Sequence, residues 1–279
     1  MKKVGLALSG GGPRGLIHIG VIKVLEKNNI PIDCIAGSSV GAFIGGIYAA
    51  TKDVRILEQI TASLKKRTIF SLFFDPVLKS GLIKGDKIIN FIKKYVGDIE
   101  FSQLKIPFTA VATDFNTGEK FEINEGKLCQ AIRASIAVPF FFKPVTIDDK
   151  ILVDGAISSP LPVASVKKMG ANLSISVNLY DKYLSQFSEN QINIITVLQQ
   201  TTKILLHNLA ETEAKEADIS ISPQSTKIGW GKLLSRVGSQ QGIDLGTQAT
   251  EKKIKEIQNL LKAEKTGFFS CLRRFFRIR

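Results

Sequence analysis

Two glycine-rich turns carry the residues of this sequence that could do chemistry. The first, with the letters GGGPRG over residues 10–15, follows one apolar stretch, and the second, GSSVG over residues 37–41, follows the next. Glycines let a backbone come close to a ligand and adopt positive φ, and the amides at the start of a helix favour an anion. The first turn is therefore a predicted anion site.

The second turn has the pattern G-x-S-x-G, in which a sharp turn between a strand and a helix exposes one serine, Ser39. The helix that follows lends its N-terminus to negative charge. Neighbouring parallel strands bring such turns to the same edge of a sheet. We therefore expect a hydroxyl nucleophile at Ser39 to lie close to an oxyanion hole in the first turn.

A serine nucleophile needs a base, and the chain has two histidines. The order Ser39, Asp154, His207 would suit a catalytic triad. However, His207 falls on the polar stripe of a predicted helix, together with Gln200, Lys203 and Glu211. The opposite face of that helix is apolar, so the pattern predicts a solvated surface histidine; the apolar residues are Ile194, Val197, Leu198, Ile204 and Leu205.

The other histidine, His18, lies one turn after Arg14 in the first predicted helix and is flanked by isoleucines. That position favours packing, or orienting the glycine turn, over proton transfer. A carboxylate remains as the base. Asp154, in the letters DGA at the end of a predicted strand, is the strongest candidate, although an isolated Asp-Gly is usually only a turn.

The first turn also satisfies the dinucleotide fingerprint G-x-G-x-x-G through Gly10, Gly12 and Gly15. That fingerprint expects an acidic residue near the end of the second strand to hold a ribose. Residues 35–38, with the letters IAGS, supply no carboxylate there. The sequence therefore disfavours a nucleotide cofactor.

Composition narrows the class of protein and the partners. The chain has 279 residues with 44% hydrophobic content, which suits one large globular domain and excludes a disordered or fibrous chain. Its net charge of +13 favours an anionic partner, but the aromatic–basic interleaving of nucleic-acid binders is absent, so no nucleic acid is expected. Three scattered cysteines form neither a disulfide framework nor a ligand cluster. We therefore expect a reducing compartment and no metal.

Predicted strands and helices alternate along the chain, which favours a parallel sheet with helices on both faces, in one α/β domain. Residues 34–51 are free of charge and just long enough to span a membrane, but their glycines predict a strand, a tight turn and a helix. The predicted strands are 3–9, 32–36, 107–113, 120–123, 144–147, 151–153, 172–178 and 218–222. The predicted helices are 15–27, 40–50, 87–96, 192–215 and 247–263.

The three motifs together resemble the patatin-like phospholipase family: GGGPRG, then G-x-S-x-G some 25 residues later, then DGA more than 100 residues further on. Residues 134–140 (ASIAVPF) are similar to a block of that family ahead of its aspartate, and residues 81–86 (GLIKGD) to a segment of its short bacterial members. The resemblance covers about residues 3–180. It implies a single-domain three-layer α/β/α fold with a mostly parallel sheet, a modified α/β-hydrolase.

The resemblance also implies a lipid acyl hydrolase with a Ser–Asp dyad, an acyl-enzyme intermediate and no cofactor. Ser39 would be the nucleophile and Asp154 its base, with a pKa that we expect burial to raise. The amides of residues 10–12 would form the oxyanion hole, supported by Arg14; these residues are Gly10, Gly11 and Gly12. Two alternatives stay open, namely an acyltransferase that uses the same serine turn and a catalytically silent membrane adaptor.

Residues 262–279 are predicted to be a basic amphipathic tail beyond a domain of residues 1–261. The tail carries a side-chain charge of +5, and a helical stripe that contains Phe268 and Leu272 follows Gly267, which we expect to separate it from the main helix. Such a segment suits an anionic membrane surface. We therefore expect a cytoplasmic protein, peripheral on the inner face of the membrane, that acts on a phospholipid or another lipid ester. Residues 69–76 fit either an acyl-chain lid or core packing.

Overall fold

The computed structural model describes residues 2–63, 83–180, 188, 191–223 and 236–275, and in the last segment the side chains of residues 239–262. The strands are β1 Val4–Leu8, β2 Cys34–Ser38, β3 Phe108–Asp114, β4 Lys120–Ile123, β5 Val145–Ile147, β6 Lys150–Asp154, β7 Leu173–Val177 and β8 Ile219–Ile221. The helices are α1 Leu16–Lys27, α2 Val40–Thr51, α3 Val54–Ser63, α4 Asp86–Val96, α5 Leu128–Ser135, α6 Val163–Lys168, α7 Ile194–Ala214 and α8 Arg236–Phe275.

The strands form one mixed sheet in the order β5-β6-β3-β2-β1-β7-β8, and β4 also pairs with β3. Strands β3, β2, β1, β7 and β8 are parallel, while β4, β5 and β6 add antiparallel pairs at one side. The two glycine-rich turns follow β1 and β2, which are parallel neighbours in the sheet. Their carboxyl ends therefore meet at one edge of the sheet, the carboxyl edge, as the sequence predicts.

The two faces of the sheet bury different side chains because successive residues of a strand point to opposite faces. Large residues such as Leu6, Leu8 and Ile35 pack with α1, α2 and the other helices of the main core. Small residues such as Ala7 and Ala36 face a second cluster with α6 and the end of α7. The sheet is thus covered on both faces, and the predicted α/β class with a mostly parallel sheet is confirmed.

Residues 34–51 form β2 and α2, as predicted. No helix in the described part of the chain is long and apolar enough to cross a bilayer. The last helix differs from the prediction, since α8 begins at Arg236 and continues through Gly267 to Phe275. Helix α8 packs closely on α1, where a side chain at Gly20 would meet the carbonyl of Ile243. The proposed lid, 69–76, lies outside the described residues.

Candidate active site

Ser39 lies at the sharp turn between β2 and α2, with φ +53°. Two glycines allow this turn because neighbouring backbone leaves no room for a side chain. A Cβ atom at Gly37 would come within 2.5 Å of the Gly41 carbonyl oxygen, and one at Gly41 would meet the Leu8 carbonyl. The G-x-S-x-G spacing is therefore a steric requirement of the turn.

The structure brings Ser39 and Asp154 together, although 115 positions separate them in sequence. Ser39 Oγ donates a hydrogen bond of 2.6 Å to Asp154 Oδ2. Both residues are buried, with 7% of Ser39 and 4% of Asp154 exposed. The second carboxylate oxygen, Oδ1, accepts the amide of Ala156 at 2.9 Å. The carboxylate of Asp154 is thus held so that Oδ2 bonds to the Ser39 hydroxyl and Oδ1 to a backbone amide.

Burial raises the pKa of Asp154 to about 6, while the hydrogen bonds from Ser39 and from the Ala156 amide oppose that rise. A base with a pKa near the working pH accepts a proton more readily than an ordinary solvated aspartate would. Near neutral pH the group is still mainly ionised. The environment therefore raises the proton affinity of the Asp154 carboxylate without removing its charge, in the direction that the sequence analysis expects.

The turn is supported by Ser135, a residue that the sequence reasoning did not single out. Its hydroxyl accepts the amide of Ser39 at 3.0 Å and donates to the Val111 carbonyl at 2.5 Å. The Asp154 amide in turn donates to the carbonyl of Ala137 at 3.0 Å. The segment over 134–140 therefore positions both Ser39 and Asp154. The signal in the sequence that could have pointed to Ser135 is that it is the one serine within this segment.

The glycine turn lies beside Ser39, since a Cβ atom at Gly10 would be 3.3 Å from Ser39 Cβ. The amides of Gly11 and Gly12, which have φ +146° and +57°, have no hydrogen-bond partner in the described part of the chain. The amide of Gly10 instead donates to the Pro160 carbonyl at 2.9 Å. The prediction that all three amides would face an oxyanion is therefore wrong for Gly10 in this arrangement.

The side chain of Arg14 contacts the glycine turn. Its Nε atom donates to the Gly11 carbonyl at 3.4 Å, and its guanidinium lies 5.8 Å from the centroid of the Tyr180 ring. Burial raises the pKa of Tyr180 above its usual value. The hydrogen bond of Arg14 thus reaches the carbonyl side of the turn, which suits a role in holding its shape.

Neither histidine contacts the carboxylate of Asp154. His18 is fully buried, its Nε2 atom donates to the Ser9 carbonyl at 2.9 Å, and burial lowers its pKa to about 4. A neutral His18 therefore holds the residue before the glycine turn, in line with its predicted orienting role. His207 Nδ1 donates to the Tyr180 carbonyl at 2.6 Å.

The hydrogen bond from His207 to the Tyr180 carbonyl joins α7 to the rest of the domain and corrects the sequence interpretation of this helix. His207 is half-buried on the body side of the helix, while the predicted apolar face is the exposed one. Ile194, Leu198 and Leu205 on that face are 76%, 57% and 64% exposed. The interpretation of His207 as a solvated histidine is therefore wrong, because the hydrophobic face of this helix points away from the core.

A further carboxyl group that the sequence reasoning missed lies close to this site. Glu213 of α7 accepts hydrogen bonds from the Ser159 hydroxyl and, at 2.7 Å, from the amide of Leu161. Burial raises its pKa to about 7. Both partners belong to the loop that follows Asp154. No three potential ligands among His, Cys, Asp and Glu cluster in the residues that the structure describes.

Comparisons with known proteins find similar sequences over much of the chain. The family model described as "Patatin-like phospholipase" matches residues 6–167, more than half of the chain. NTE family proteins of Mycobacterium bovis and Mycobacterium tuberculosis, whose names call them uncharacterized, are 41% identical over 177 residues, which is 63% of this chain and 49% of each of them. Lysophospholipase NTE1 of Debaryomyces hansenii is 35% identical over 64% of this chain and 12% of its own length. The chain thus spans about half or less of these relatives.

Solved structures share the fold at low sequence identity. VipD from Legionella pneumophila aligns over 91% of this chain and 67% of its own, with a TM-score of 0.54 and 13% identity. The type III effector protein ExoU aligns over 92% of this chain and 53% of its own, with a TM-score of 0.50 and 14% identity.

Proposed function

The chain belongs to the patatin-like phospholipase family, and from that premise we propose that it hydrolyses carboxylic esters of phospholipids or related lipids through a Ser–Asp dyad. The observation that carries the proposal is the 2.6 Å hydrogen bond from Ser39 Oγ to the buried Asp154 carboxylate. The lysophospholipase name of the yeast relative supports a lipid ester as substrate. The mechanism follows from the residues around this bond.

In the first step Asp154 accepts the proton of Ser39 as Oγ attacks the ester carbonyl carbon. Negative charge then develops on the carbonyl oxygen. The amides of Gly11 and Gly12, which have no hydrogen-bond partner in the described part of the chain, would donate hydrogen bonds to that oxygen. The C–O bond to the alcohol breaks, the protonated Asp154 returns the proton to the leaving alkoxide, and an acyl-enzyme on Ser39 remains. For a phospholipid the released alcohol is a lysophospholipid.

In the second step water attacks the acyl-enzyme, and Asp154 takes one proton from that water. Collapse of the second tetrahedral intermediate releases the fatty acid and returns the proton to Ser39 Oγ. Asp154 therefore acts as a base and then as an acid in each of the two steps, which requires a carboxyl group that gains and loses a proton near neutral pH. Its raised pKa suits this alternation.

The C-terminal residues complete the proposal. We assign residues 262–279 to electrostatic attraction toward an anionic membrane, on the inner face of which the protein would work. A peripheral location would raise the local concentration of lipid substrate without changing the chemistry at Ser39.

The experiment that tests the function compares Ser39→Ala with Ser38→Ala on a soluble p-nitrophenyl ester and on lysophosphatidylcholine. Ser38 is the matched control because it is the adjacent buried serine and its hydroxyl has no hydrogen-bond partner in the described part of the chain. We expect Ser38→Ala to keep turnover and Ser39→Ala to lose it. A fluorophosphonate probe should label the wild-type chain and not Ser39→Ala.

Turnover that persists in Ser39→Ala, or a wild-type chain that neither turns over esters nor takes the label, would overturn the proposal. The second result would favour a silent adaptor. Transfer of the acyl group to an added alcohol in preference to water would identify an acyltransferase instead.

A further inference from the structure

The exposed apolar face of α7 is the starting point, because a helix of a globular protein normally turns its apolar stripe to the core. Over residues 194–205 the opposite holds, with bulky aliphatic side chains on the solvent side. The surface formed by this stripe is called the α7 stripe. Its members are Ile194, Ile195, Val197, Leu198, Ile204 and Leu205.

The contacts of α7 show how it stands on the domain. Its C-terminal half is anchored, since Glu211 Oε1 accepts the Asn178 side chain at 3.0 Å and Ala210 is fully buried. His207 bonds to the Tyr180 carbonyl, just beyond the end of β7. From there the chain runs toward β8, which pairs in parallel with β7, so α7 lies antiparallel to these strands.

The N-terminal half of α7 therefore projects past the carboxyl edge of the sheet. Thirteen residues separate Ile194 from His207, and a rise of 1.5 Å per residue places Ile194 about 20 Å further along the helix axis. The base of this projection is next to the glycine turn, because a Cβ atom at Gly10 would be 2.5 Å from the Tyr180 hydroxyl. The projecting half of α7 thus starts beside the glycine turn that borders Ser39.

Other bulky apolar side chains are exposed at the same edge. Phe115 follows the end of β3, and its amide donates to the Ile151 carbonyl at 2.7 Å. Ile157 ends the turn directly after Asp154, and Phe140, with 89% exposed, follows the segment that binds the Asp154 amide. Of the exposed large hydrophobic residues that the structure describes, seven lie on α7 or just before it at Ile192, and the others are Phe115, Phe140, Phe141, Ile151 and Ile157.

We propose that this apolar edge, with the α7 stripe as its main element, docks the protein on the surface of a phospholipid bilayer. The inference rests on the proposed function and adds the surface that meets the substrate. Docking there would place the opening at Ser39 against the lipid that is to be cleaved. The stripe would lie in the boundary between headgroups and acyl chains, as amphipathic helices do.

The composition of the stripe favours a lipid over a protein partner. Residues 191–210 contain one charged side chain, Lys203, and no carboxylate, so nothing on them repels an anionic or zwitterionic headgroup. Protein interfaces concentrate their binding energy in Trp, Tyr and Arg, and this segment has none of them. Aliphatic residues interspersed with Thr and Gln match the partly polar boundary of a bilayer.

The test is co-sedimentation with phosphatidylcholine vesicles, carried out with the full chain in a Ser39→Ala background so that the vesicles stay intact. At about 1 M salt the Debye length is only about 3 Å, so attraction through the basic tail is suppressed. We expect binding to persist there and to fall about tenfold or more in Leu198→Ser/Leu205→Ser, because two apolar side chains no longer enter the bilayer.

The matched control is Gln199→Ser/Thr202→Ser, which makes two changes to serine on exposed polar positions of the same helix. It should bind within about twofold of the parent. A second apolar pair, Ile194→Ser/Val197→Ser, lies in the projecting end of α7 and should repeat the loss. Circular dichroism and turnover of a soluble ester by the same variants with Ser39 intact verify that the domain is folded.

Equal binding of the apolar and control variants, or no binding of the parent chain at high salt, would overturn the docking surface. A parent chain that is a dimer in solution and dissociates in the Leu198→Ser/Leu205→Ser variant, without vesicle binding, would assign the stripe to a second copy instead. These results are separate from the proposed function, because loss of ester turnover would leave vesicle binding of the Ser39→Ala chain unchanged.

Discussion

The amide of Gly10 donates a 2.9 Å hydrogen bond to the carbonyl of Pro160, and this bond joins the two loops on either side of the nucleophile. One loop carries the amides of Gly11 and Gly12, and the other begins at the carboxyl group of Asp154. The glycine turn and the loop after Asp154, which hold the proposed oxyanion donors and the proposed base, are thus tied to each other as well as to the sheet. A shift of one loop would move the other.

Glu213 holds the second loop on both sides of Pro160, through the Ser159 hydroxyl and the Leu161 amide. The carboxyl group does not contact Ser39 or Asp154, so any role in the reaction is that of a positioning residue. Because it comes from α7, it also links the base of the projecting helix to the site. The relationship leads to a first prediction.

Glu213→Gln should lower kcat on a soluble ester several-fold with little change in KM. In Glu213→Gln the amide nitrogen replaces one of the two accepting oxygens, so the Ser159 hydroxyl must reverse and accept, or one of the two hydrogen bonds is lost. A lost buried hydrogen bond costs about 1–3 kcal/mol of the free energy of unfolding, measurable by urea denaturation. Glu216→Gln, an exposed position on the next turn, is the control and should change neither quantity. A wild-type kcat in Glu213→Gln would show that the loop keeps its place without this carboxyl.

The pH dependence of activity should report Asp154. Only the carboxylate form can take the proton of Ser39, and burial raises the pKa of Asp154 to about 6. kcat/KM on a soluble ester should therefore rise tenfold per pH unit below about 6 and level off above 7. Asp154→Asn should lower kcat by on the order of a thousandfold or more at pH 7 and above, where the wild-type group is ionised. A profile that levels off below pH 5 would mean that another group is the base.

The same raised pKa values bear on stability. Between about pH 4 and 7 the folded state keeps protons on Asp154 and Glu213 that the unfolded chain has released. Stability contributed by these two groups therefore falls as pH rises through that window. Urea denaturation from pH 4.5 to 7.5 should show a steeper decline for the wild-type chain than for Asp154→Asn/Glu213→Gln. Parallel curves for the two proteins would contradict the buried environment of these carboxyl groups.

Much of this arrangement follows from sequence patterns of short range. Apolar runs bounded by glycines and Asp-rich turns predicted the strands, and the two G-rich turns after β1 and β2 had to share an edge once those strands are parallel. Asp154 was already the strongest candidate base for Ser39 from its place at a strand end, and the family resemblance strengthened that prediction, because a lone Asp-Gly is usually only a turn. The fold class and the family are confirmed.

What the sequence missed depends on contacts between distant segments. Ser135 and Glu213 are ordinary polar residues in helices, and their roles come from partners 96 and 52 to 54 positions away. The predicted orientation of α7 was wrong for a different reason. Hydrophobic periodicity shows which face of a helix is apolar, but not whether the core covers that face. Gly10 was misassigned because the letters of a glycine turn do not show which amide is already bonded.

The glycine turn supplies a prediction with an internal control. Gly11→Val should lower activity on a soluble ester strongly while the fold is retained, because φ +146° excludes the side chain and the amide would move. Gly12→Val should act likewise. Gly118→Val places the same residue at another positive φ, in open space away from the site. That variant should match the wild-type kcat, with circular dichroism unchanged in all three. Full activity of Gly11→Val would exclude this turn from the oxyanion hole.

His207→Ala distinguishes a dyad from a triad. His207 bonds to the Tyr180 carbonyl rather than to Asp154, so its loss should leave kcat/KM within about threefold, or below roughly 0.7 kcal/mol of the activation barrier. His18→Ala would be a poor substitute for this test because His18 is fully buried. A loss of a hundredfold or more in His207→Ala, in a folded protein, would restore a histidine to the mechanism.

The basic C-terminus should bind membranes in a way that differs from the α7 stripe. Truncation after Lys265 removes Arg273, Arg274, Arg277 and Arg279 and no carboxylate side chain. It leaves the part of α8 that packs on the body, which includes the fully buried Ile257. Each basic residue near an anionic surface contributes on the order of 1 kcal/mol, an attraction that salt screens.

The truncated chain should therefore sediment less with phosphatidylserine-containing vesicles at low salt, and the difference should vanish near 1 M salt. Turnover of a soluble short-chain ester should be unaffected, because no residue of the site is removed. Replacing the four arginines by glutamine in the full chain separates charge from length and should reproduce the loss. If both altered chains bind anionic vesicles as tightly as the full chain does at low salt, membrane binding does not depend on this segment, and the α7 stripe would have to supply it alone.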